Sequence, residues 1–171
     1  MSTAHTATGA CLRHLVVTTA TAAETAALGA QLASLLLPGD VVPLWGGFGA
    51  GKTTFTQGVG RALGVQHPVV SPSYGLVHEY HGDPARPVLN HLDLYRLESA
   101  GDAIAIGIED MLSGDGVTLI EWPGVIESLL PQERLDVYLD LTPVGERRVC
   151  FVAAGARYVE LLATYARSVG E

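Results

Sequence analysis

Basic side chains are scarce in this sequence of 171 residues, whose formal net charge is −8. Lys52 is the single lysine, and the arginines are scattered, with only Arg147 and Arg148 adjacent. Proteins that bind a nucleic-acid backbone do so through clustered Lys and Arg, which displace counterions. Strong direct binding of nucleic acid is therefore not expected of this chain on its own.

Cysteines are few, and long apolar segments are lacking. Cys11 and Cys150 are the only cysteines, and without C-x-x-C spacing they indicate free thiols in a reducing compartment rather than a disulfide framework. No apolar run approaches the ~20 residues that span a bilayer, and the first residues lack the basic and apolar segments of a signal peptide. We therefore expect a cytoplasmic protein without a membrane partner.

The sequence does contain enough hydrophobic residues, 48 % of the chain, for one well-filled core. Residues 1–10 are expected to form a disordered tail and residues 11–171 one α/β domain, in which strands and helices alternate. Periodicity and turn residues predict strands at 12–19, 41–45, 76–80, 88–94, 117–120, 135–141 and 148–153. Helices are predicted from a capping box on Thr21, from Lys52, over residues 99–112 and after Pro123, and a final helix contains Tyr158, Leu161, Leu162 and Tyr165.

A glycine-rich segment joins a predicted strand to a predicted helix and fits the phosphate-loop pattern G-x-x-x-x-G-K-[ST]. Its glycines let backbone N–H groups approach phosphate oxygens, and the following helix adds the positive end of its dipole. Pro43 is unfavourable in the preceding strand, because it removes a hydrogen-bond donor from the ladder. The segment predicts a single-domain, three-layer P-loop NTPase fold with a central, mostly parallel (mixed) sheet. Its nucleotide-binding residues are Gly46, Gly47, Phe48, Gly49, Ala50, Gly51, Lys52, Thr53 and Thr54.

Two acidic residues follow apolar runs and are candidate partners of a magnesium ion. Glu121 ends the run 117–120, which is typical of a Walker B strand, and Asp93 ends a less apolar run. Because a parallel sheet gathers the carboxyl ends of its strands at one edge, both acids can reach the nucleotide. Thr53 would supply a hydroxyl ligand. Each acid also fits a solvated position at the end of a strand.

Other polar residues allow two interpretations. The segment 71–74 (SPSY) fits either an ordinary turn or a loop whose hydroxyl senses a γ-phosphate. His78 and His81 resemble a metal pair, but strand spacing turns their side chains to opposite faces, so no metal is expected there. Trp122 suits either the core or a movable lid. The guanine motif N-K-x-D is impossible without a second lysine, which favours ATP over GTP.

Five blocks in order resemble the TsaE (YjeE) family, bacterial P-loop ATPases of tRNA threonylcarbamoyladenosine biosynthesis. The most specific combination is HLDLYRL at 91–97 with EWP at 121–123. The other blocks are the helical segment that begins at Thr21, the glycine loop with its flanks at 39–58, and the segment 71–80. Together they extend over most of residues 20–140.

The resemblance implies ATP on the glycine loop, with Mg²⁺ held by Thr53 and Glu121. It implies catalytic roles for Lys52, Asp93 and Glu121, and nucleotide contacts from Ser73, Trp122, Thr21 and a late arginine, Arg147 or Arg148. It also implies TsaB and TsaD homologues as partners in modifying adenosine 37 of ANN-decoding tRNAs. TsaD would transfer the threonylcarbamoyl group, and this chain would act as a slow ATPase that resets the complex.

The sequence departs from the family pattern at three positions in these blocks. Family loops often read GDLGAGKT, whereas Gly47 and Phe48 stand here, and Ser73 replaces a threonine but keeps a hydroxyl. Two other functions remain open. A small-molecule kinase would use Asp93 as its base and Arg96 as a substrate clamp, although no arginine-rich lid is evident. A nucleotide-dependent binding module would not hydrolyse ATP.

Overall fold

A computed structural model describes residues 13–72 and 76–170. The predicted tail at 1–10, Cys11 and Ser73 lie outside the described residues.

The centre of the fold is a seven-stranded mixed sheet in the order β1-β7-β6-β2-β5-β4-β3. The four central strands, β6, β2, β5 and β4, are parallel to one another, and the outer pairings are antiparallel. The predicted mixed sheet is therefore confirmed. The strands are β1 (His14–Thr19), β2 (Val41–Trp45), β3 (Val77–Tyr80), β4 (Leu89–Asp93), β5 (Val117–Glu121), β6 (Arg134–Leu141) and β7 (Arg147–Ala154).

The helices follow the predicted order, with one difference. Thr21 caps the first helix by accepting a hydrogen bond from the Glu24 amide. The predicted helical stretch 99–112 is instead two short helices, because Gly107 adopts φ +80° and breaks it. The helices are α1 (Ala22–Ala33), α2 (Lys52–Ala62), α3 (Ala100–Ala105), α4 (Ile108–Leu112) and α5 (Ala156–Val169), with a 3-10 helix at Pro123–Leu129.

The helices cover both faces of the sheet and give three layers. Buried residues of α1, α2 and α5, such as Leu32, Phe55 and Tyr165, pack in one core with one face of the sheet. Ile108 of α4 and Ile126 of the 3-10 helix belong to a second core on the other face. Among the described residues, none of the helices is long and apolar enough to cross a membrane.

Helices α1 and α2 cross at backbone contact through two glycines. A Cβ atom at Gly58 would lie 1.8 Å from the carbonyl oxygen of Ala26, and one at Gly29 would lie 2.2 Å from that of Phe55. Real Cβ atoms do not approach so closely, so only glycine fits at these positions. The crossing fixes α2, which begins with Lys52, against the rest of the domain.

The parallel strands bring their carboxyl ends to a single edge of the sheet. Glu121 pairs in register with Leu44 on one side and with Asp93 on the other. Pro43 is tolerated in β2 because pairing with β6 begins only at Leu44, so the missing donor falls where the strand is paired on one side. Both acids and the glycine loop that follows β2 are thus neighbours.

Candidate functional site

The glycine loop between β2 and α2 has backbone conformations and close contacts that leave no room for side chains at several positions. Gly46, Gly49 and Gly51 have φ of +147°, +73° and +104°. A Cβ atom at Gly46 would lie 2.3 Å from the carbonyl oxygen of Leu139, and one at Gly51 would lie 3.1 Å from Nε of Arg147. The loop is therefore shaped to bring its backbone N–H groups close to a bound anion.

Lys52 is buried at the first position of α2, with only 4 % of its surface exposed. Its Nζ donates hydrogen bonds of 2.8 Å to the carbonyl oxygens of Gly46 and Gly47, and it lies 4.0 Å from the ring centroid of Trp122. Burial lowers the pKa of Lys52, and the negative charges of Glu121 and Asp93 oppose that shift. The ammonium is thus held at the loop by weak acceptors that a phosphate would outcompete.

Two buried carboxylates lie opposite the loop, each held by neighbouring donors. Oε1 of Glu121 accepts hydrogen bonds from the Thr53 hydroxyl at 2.7 Å and from Nε2 of His91 at 2.9 Å. Asp93 accepts a short hydrogen bond from the Ser71 hydroxyl and one of 3.2 Å from the Tyr95 amide. Hydroxyl and carboxylate oxygens are the ligands that Mg²⁺ prefers, so Thr53 and Glu121 suit that ion.

The described residues contain no cluster of three or more His, Cys, Asp or Glu side chains that could hold a metal ion unaided. A magnesium ion here would complete its shell with phosphate oxygens and water, as it does in other P-loop sites. Thr53 and Glu121 would supply the protein's share.

Three aromatic rings, Phe48, Tyr95 and Trp122, form a cluster that we call the aromatic cluster, and its Trp122 ring lies over Lys52. Their centroids are 4.7 Å (Phe48–Tyr95), 4.7 Å (Phe48–Trp122) and 5.1 Å (Tyr95–Trp122) apart. Trp122 has φ +58°, a left-handed conformation that costs a non-glycine residue about 1–3 kcal/mol. Phe48 is 70 % exposed, so the cluster is a thin cover rather than part of the core.

The side wall of the site is formed by Arg147 and not by Arg148. Nε of Arg147 is buried and has no hydrogen-bond partner among the described residues, whereas the exposed Arg148 lies 3.6 Å from Asp140. Arg147 pairs in register with Thr19, two residues before Thr21. The side chain of Thr21 is engaged in capping α1, so its role toward a nucleotide stays a prediction.

These residues enclose a cavity of about 290 Å³ at the carboxyl edge of the sheet. Most of the predicted site residues line it, and Ser71 and Tyr95 join them. Thr21, Gly46, Gly47 and Ala50 do not line it directly. The lining residues are Phe48, Gly49, Gly51, Lys52, Thr53, Thr54, Ser71, Asp93, Tyr95, Glu121, Trp122 and Arg147.

Three contributors were not predicted individually from the sequence: Ser71, His91 and Tyr95. His91 and Tyr95 belong to the HLDLYRL block and Ser71 to the segment 71–74, so the resemblance pointed to their segments without giving them roles. What the structure adds is which atoms meet: an anion cradle, one cation and two carboxylates in a single cavity. This set suits a polyphosphate bound together with a divalent cation.

Comparison with known proteins indicates a family. Residues 19–149 match the family model described as threonylcarbamoyl adenosine biosynthesis protein TsaE. The TsaE protein of Bacillus subtilis is 42 % identical over 135 residues, 79 % of this chain and 83 % of that protein. The TsaE protein of Treponema pallidum is 38 % identical over 128 residues, 75 % of this chain and 93 % of that protein. The crystal structure of YdiB from Bacillus superposes with a TM-score of 0.80 at 35 % identity, covering 92 % of this chain and 97 % of that one.

Proposed function

The chain belongs to the TsaE family, and from its site we propose that it is an ATP-binding, slowly ATP-hydrolysing protein of tRNA threonylcarbamoyladenosine biosynthesis. One observation carries the nucleotide part of the proposal. The only lysine of the chain is buried at the glycine loop, next to the hydrogen-bonded pair of Thr53 and Glu121. A buried ammonium beside an anion cradle and two hard oxygen ligands is the arrangement that Mg²⁺-ATP requires.

Binding would exchange the partners of Lys52. Its ammonium would leave the carbonyl oxygens of Gly46 and Gly47 for phosphate oxygens, which accept stronger, charge-assisted hydrogen bonds. Thr53 and Glu121 would hold Mg²⁺, which supplies charge neutralisation when bound. The buried Nε of Arg147 has no hydrogen-bond partner within residues 13–72 and 76–170, so Arg147 would contact the base or ribose, and its guanidinium would stack on the base.

Hydrolysis would need a water molecule aligned with the γ-phosphate. Asp93 is the candidate for orienting that water, since it is buried in the cavity and Ser71 and the Tyr95 amide hold its carboxylate. Lys52 would stabilise the charge that develops on the phosphate oxygens. We propose that the chain alone hydrolyses ATP slowly. In a switch protein of this kind, contact with the partner would complete the active site.

The proposed partners are homologues of TsaB and TsaD, and the proposed substrate of the whole machinery is adenosine 37 of ANN-decoding tRNAs. The net charge of −8 supports an assembly in which other subunits bind the tRNA, because this chain has few basic side chains that could displace counterions. A cytoplasmic location is part of the same proposal.

The test is calorimetry of Mg²⁺-ATP binding to Lys52→Ala beside the unchanged chain. We expect the variant to lose detectable binding, because no other lysine can replace the ammonium. Arg61→Ala is the matched control, since it removes a cation from the exposed end of the same helix and should bind normally. Undiminished affinity of Lys52→Ala would refute the proposal.

Two further measurements separate the proposed activity from the alternatives. Release of inorganic phosphate, stimulated by added TsaB and TsaD homologues, is the expected result. A phosphorylated small alcohol as product would indicate a kinase instead. Equal complex formation with ATP and a non-hydrolysable analogue through repeated cycles would indicate a binding module without hydrolysis.

A further inference from the structure

His91 is a fully buried histidine that the proposed chemistry has not yet used. It lies in β4 with 0 % of its surface exposed, and its Nε2 is 2.9 Å from Oε1 of Glu121. The same oxygen accepts the Thr53 hydroxyl at 2.7 Å. Glu121 therefore accepts one hydrogen bond from a donor on α2 and another from a donor on the neighbouring strand β4.

The hydrogen bond fixes which nitrogen of His91 carries the proton. A carboxylate only accepts hydrogen bonds, so Nε2 is the donor. The other ring nitrogen, Nδ1, is buried and has no hydrogen-bond partner among the described residues. An N–H at Nδ1 would lack an acceptor at a cost of about 1–3 kcal/mol, which favours the tautomer with its hydrogen on Nε2.

Packing alone does not account for a histidine at this position. The registered neighbours of β4 on the same stretch of sheet include Leu119, a buried aliphatic residue. A leucine at 91 would fill similar space without burying a ring nitrogen that lacks a partner. Among the described residues, the ring of His91 makes one hydrogen bond, and its partner is Glu121.

We propose that His91 is a positioning residue that holds Glu121 in the orientation needed to ligate the magnesium ion; this rests on the proposed function. The Thr53 oxygen has lone pairs for an ion while its proton stays on Glu121, so both donors can hold the carboxylate in place. The Nε2–H of His91 reaches the carboxylate from the core, because strand pairing fixes the backbone of β4 beside β5 and the side chain is fully buried. Groups that orient a metal ligand in this way typically change metal affinity about 10- to 100-fold when removed.

The experiment measures the Kd for ATP by calorimetry, in magnesium and in EDTA, for three substitutions. His91→Leu removes the donor, His91→Gln places an amide N–H near the position of Nε2, and His91→Asn is too short to reach. We expect His91→Leu and His91→Asn to weaken Mg²⁺-ATP binding about tenfold or more. Their affinity in EDTA should stay within about twofold of the unchanged chain, since the phosphate contacts remain. His91→Gln should recover most of the loss.

Asn90→Ala is the matched control, because Asn90 lies beside His91 on β4 and its side chain hydrogen-bonds to Thr118 of β5. This substitution should leave the magnesium dependence unchanged. Equal losses in magnesium and in EDTA, or no loss in His91→Asn and His91→Leu, would overturn the positioning role. If His91→Leu does not fold, the pair His91→Gln and His91→Asn decides the question. Failure of the unchanged chain to bind Mg²⁺-ATP would refute the proposed function instead, so the two failures are distinguishable.

Discussion

At the scale of single residues, the charge of Glu121 is the most direct test of the metal site. Glu121→Gln keeps an oxygen that can accept from Thr53 and His91 but loses the negative charge. We expect Mg²⁺-ATP affinity to fall about tenfold or more, because an interaction with a charged group contributes about 1.5–3 kcal/mol. In EDTA the affinity should hold or rise, since a charge that repels phosphate is gone. Titration calorimetry measures both.

The control for that substitution is Glu109→Gln, which makes the same change at an exposed position of α4. It should alter neither affinity. A parallel loss in magnesium and in EDTA for Glu121→Gln would mean that Glu121 supports the fold of the loop rather than the ion.

Phe48 is a residue at which this chain departs from the family pattern, and it belongs to the aromatic cluster that covers Lys52. Phosphates must reach the ammonium from which Trp122 now lies 4.0 Å away, so ATP binding should displace the cluster. Each aromatic pair contributes about 0.5–1.5 kcal/mol, so Phe48→Ala should tighten ATP binding by up to about tenfold. Equilibrium titration with ATP measures this, and Leu37→Ala, at another exposed apolar residue, is the control. Weaker binding by Phe48→Ala would mean that the ring contacts the nucleotide.

At the scale of elements, the crossing of α1 and α2 fixes the position of α2, the helix that begins with Lys52. A Cβ atom at Gly58 would lie 1.8 Å from a backbone oxygen of α1, and overpacking of this kind costs about 1–3 kcal/mol or more. Gly58→Ala should therefore lower the free energy of unfolding by at least about 1 kcal/mol in urea denaturation. Gly101→Ala in α3 meets its nearest atom at 3.5 Å and should be neutral or stabilising. Equal stability of the two variants would contradict the close crossing.

Local signals explain which elements could be predicted from the sequence. The strand Val41–Trp45 and the helix that starts at Lys52 were predicted at the observed positions, because β-branched residues, glycines and a capping glycine mark them locally. The division of 99–112 was missed, since Gly107 fits a helical pattern and reveals its break only through its positive φ. The bond between His91 and Glu121 joins strands 30 residues apart, and the aromatic cluster joins residues 48, 95 and 122, so spacing within a window could not show either.

At the scale of the whole molecule, the cavity is lined by the glycine loop and by residues of α2, β4, β5 and β7. A ligand that ties these elements together stabilises the domain by mass action. At 100 times its Kd, Mg²⁺-ATP should add about 2.7 kcal/mol to the free energy of unfolding. For a domain of this size that corresponds to a rise in Tm of roughly 5–11 °C.

Thermal unfolding with Mg²⁺-ATP, Mg²⁺-GTP and no nucleotide tests this expectation and the base preference together. ATP should raise the Tm more than GTP, because the sequence has no second lysine for the guanine motif. Lys52→Ala should show no shift with either nucleotide, and Arg61→Ala should respond as the unchanged chain does. An equal rise with GTP would contradict the preference for adenine, and a rise in Lys52→Ala would place the nucleotide away from the glycine loop.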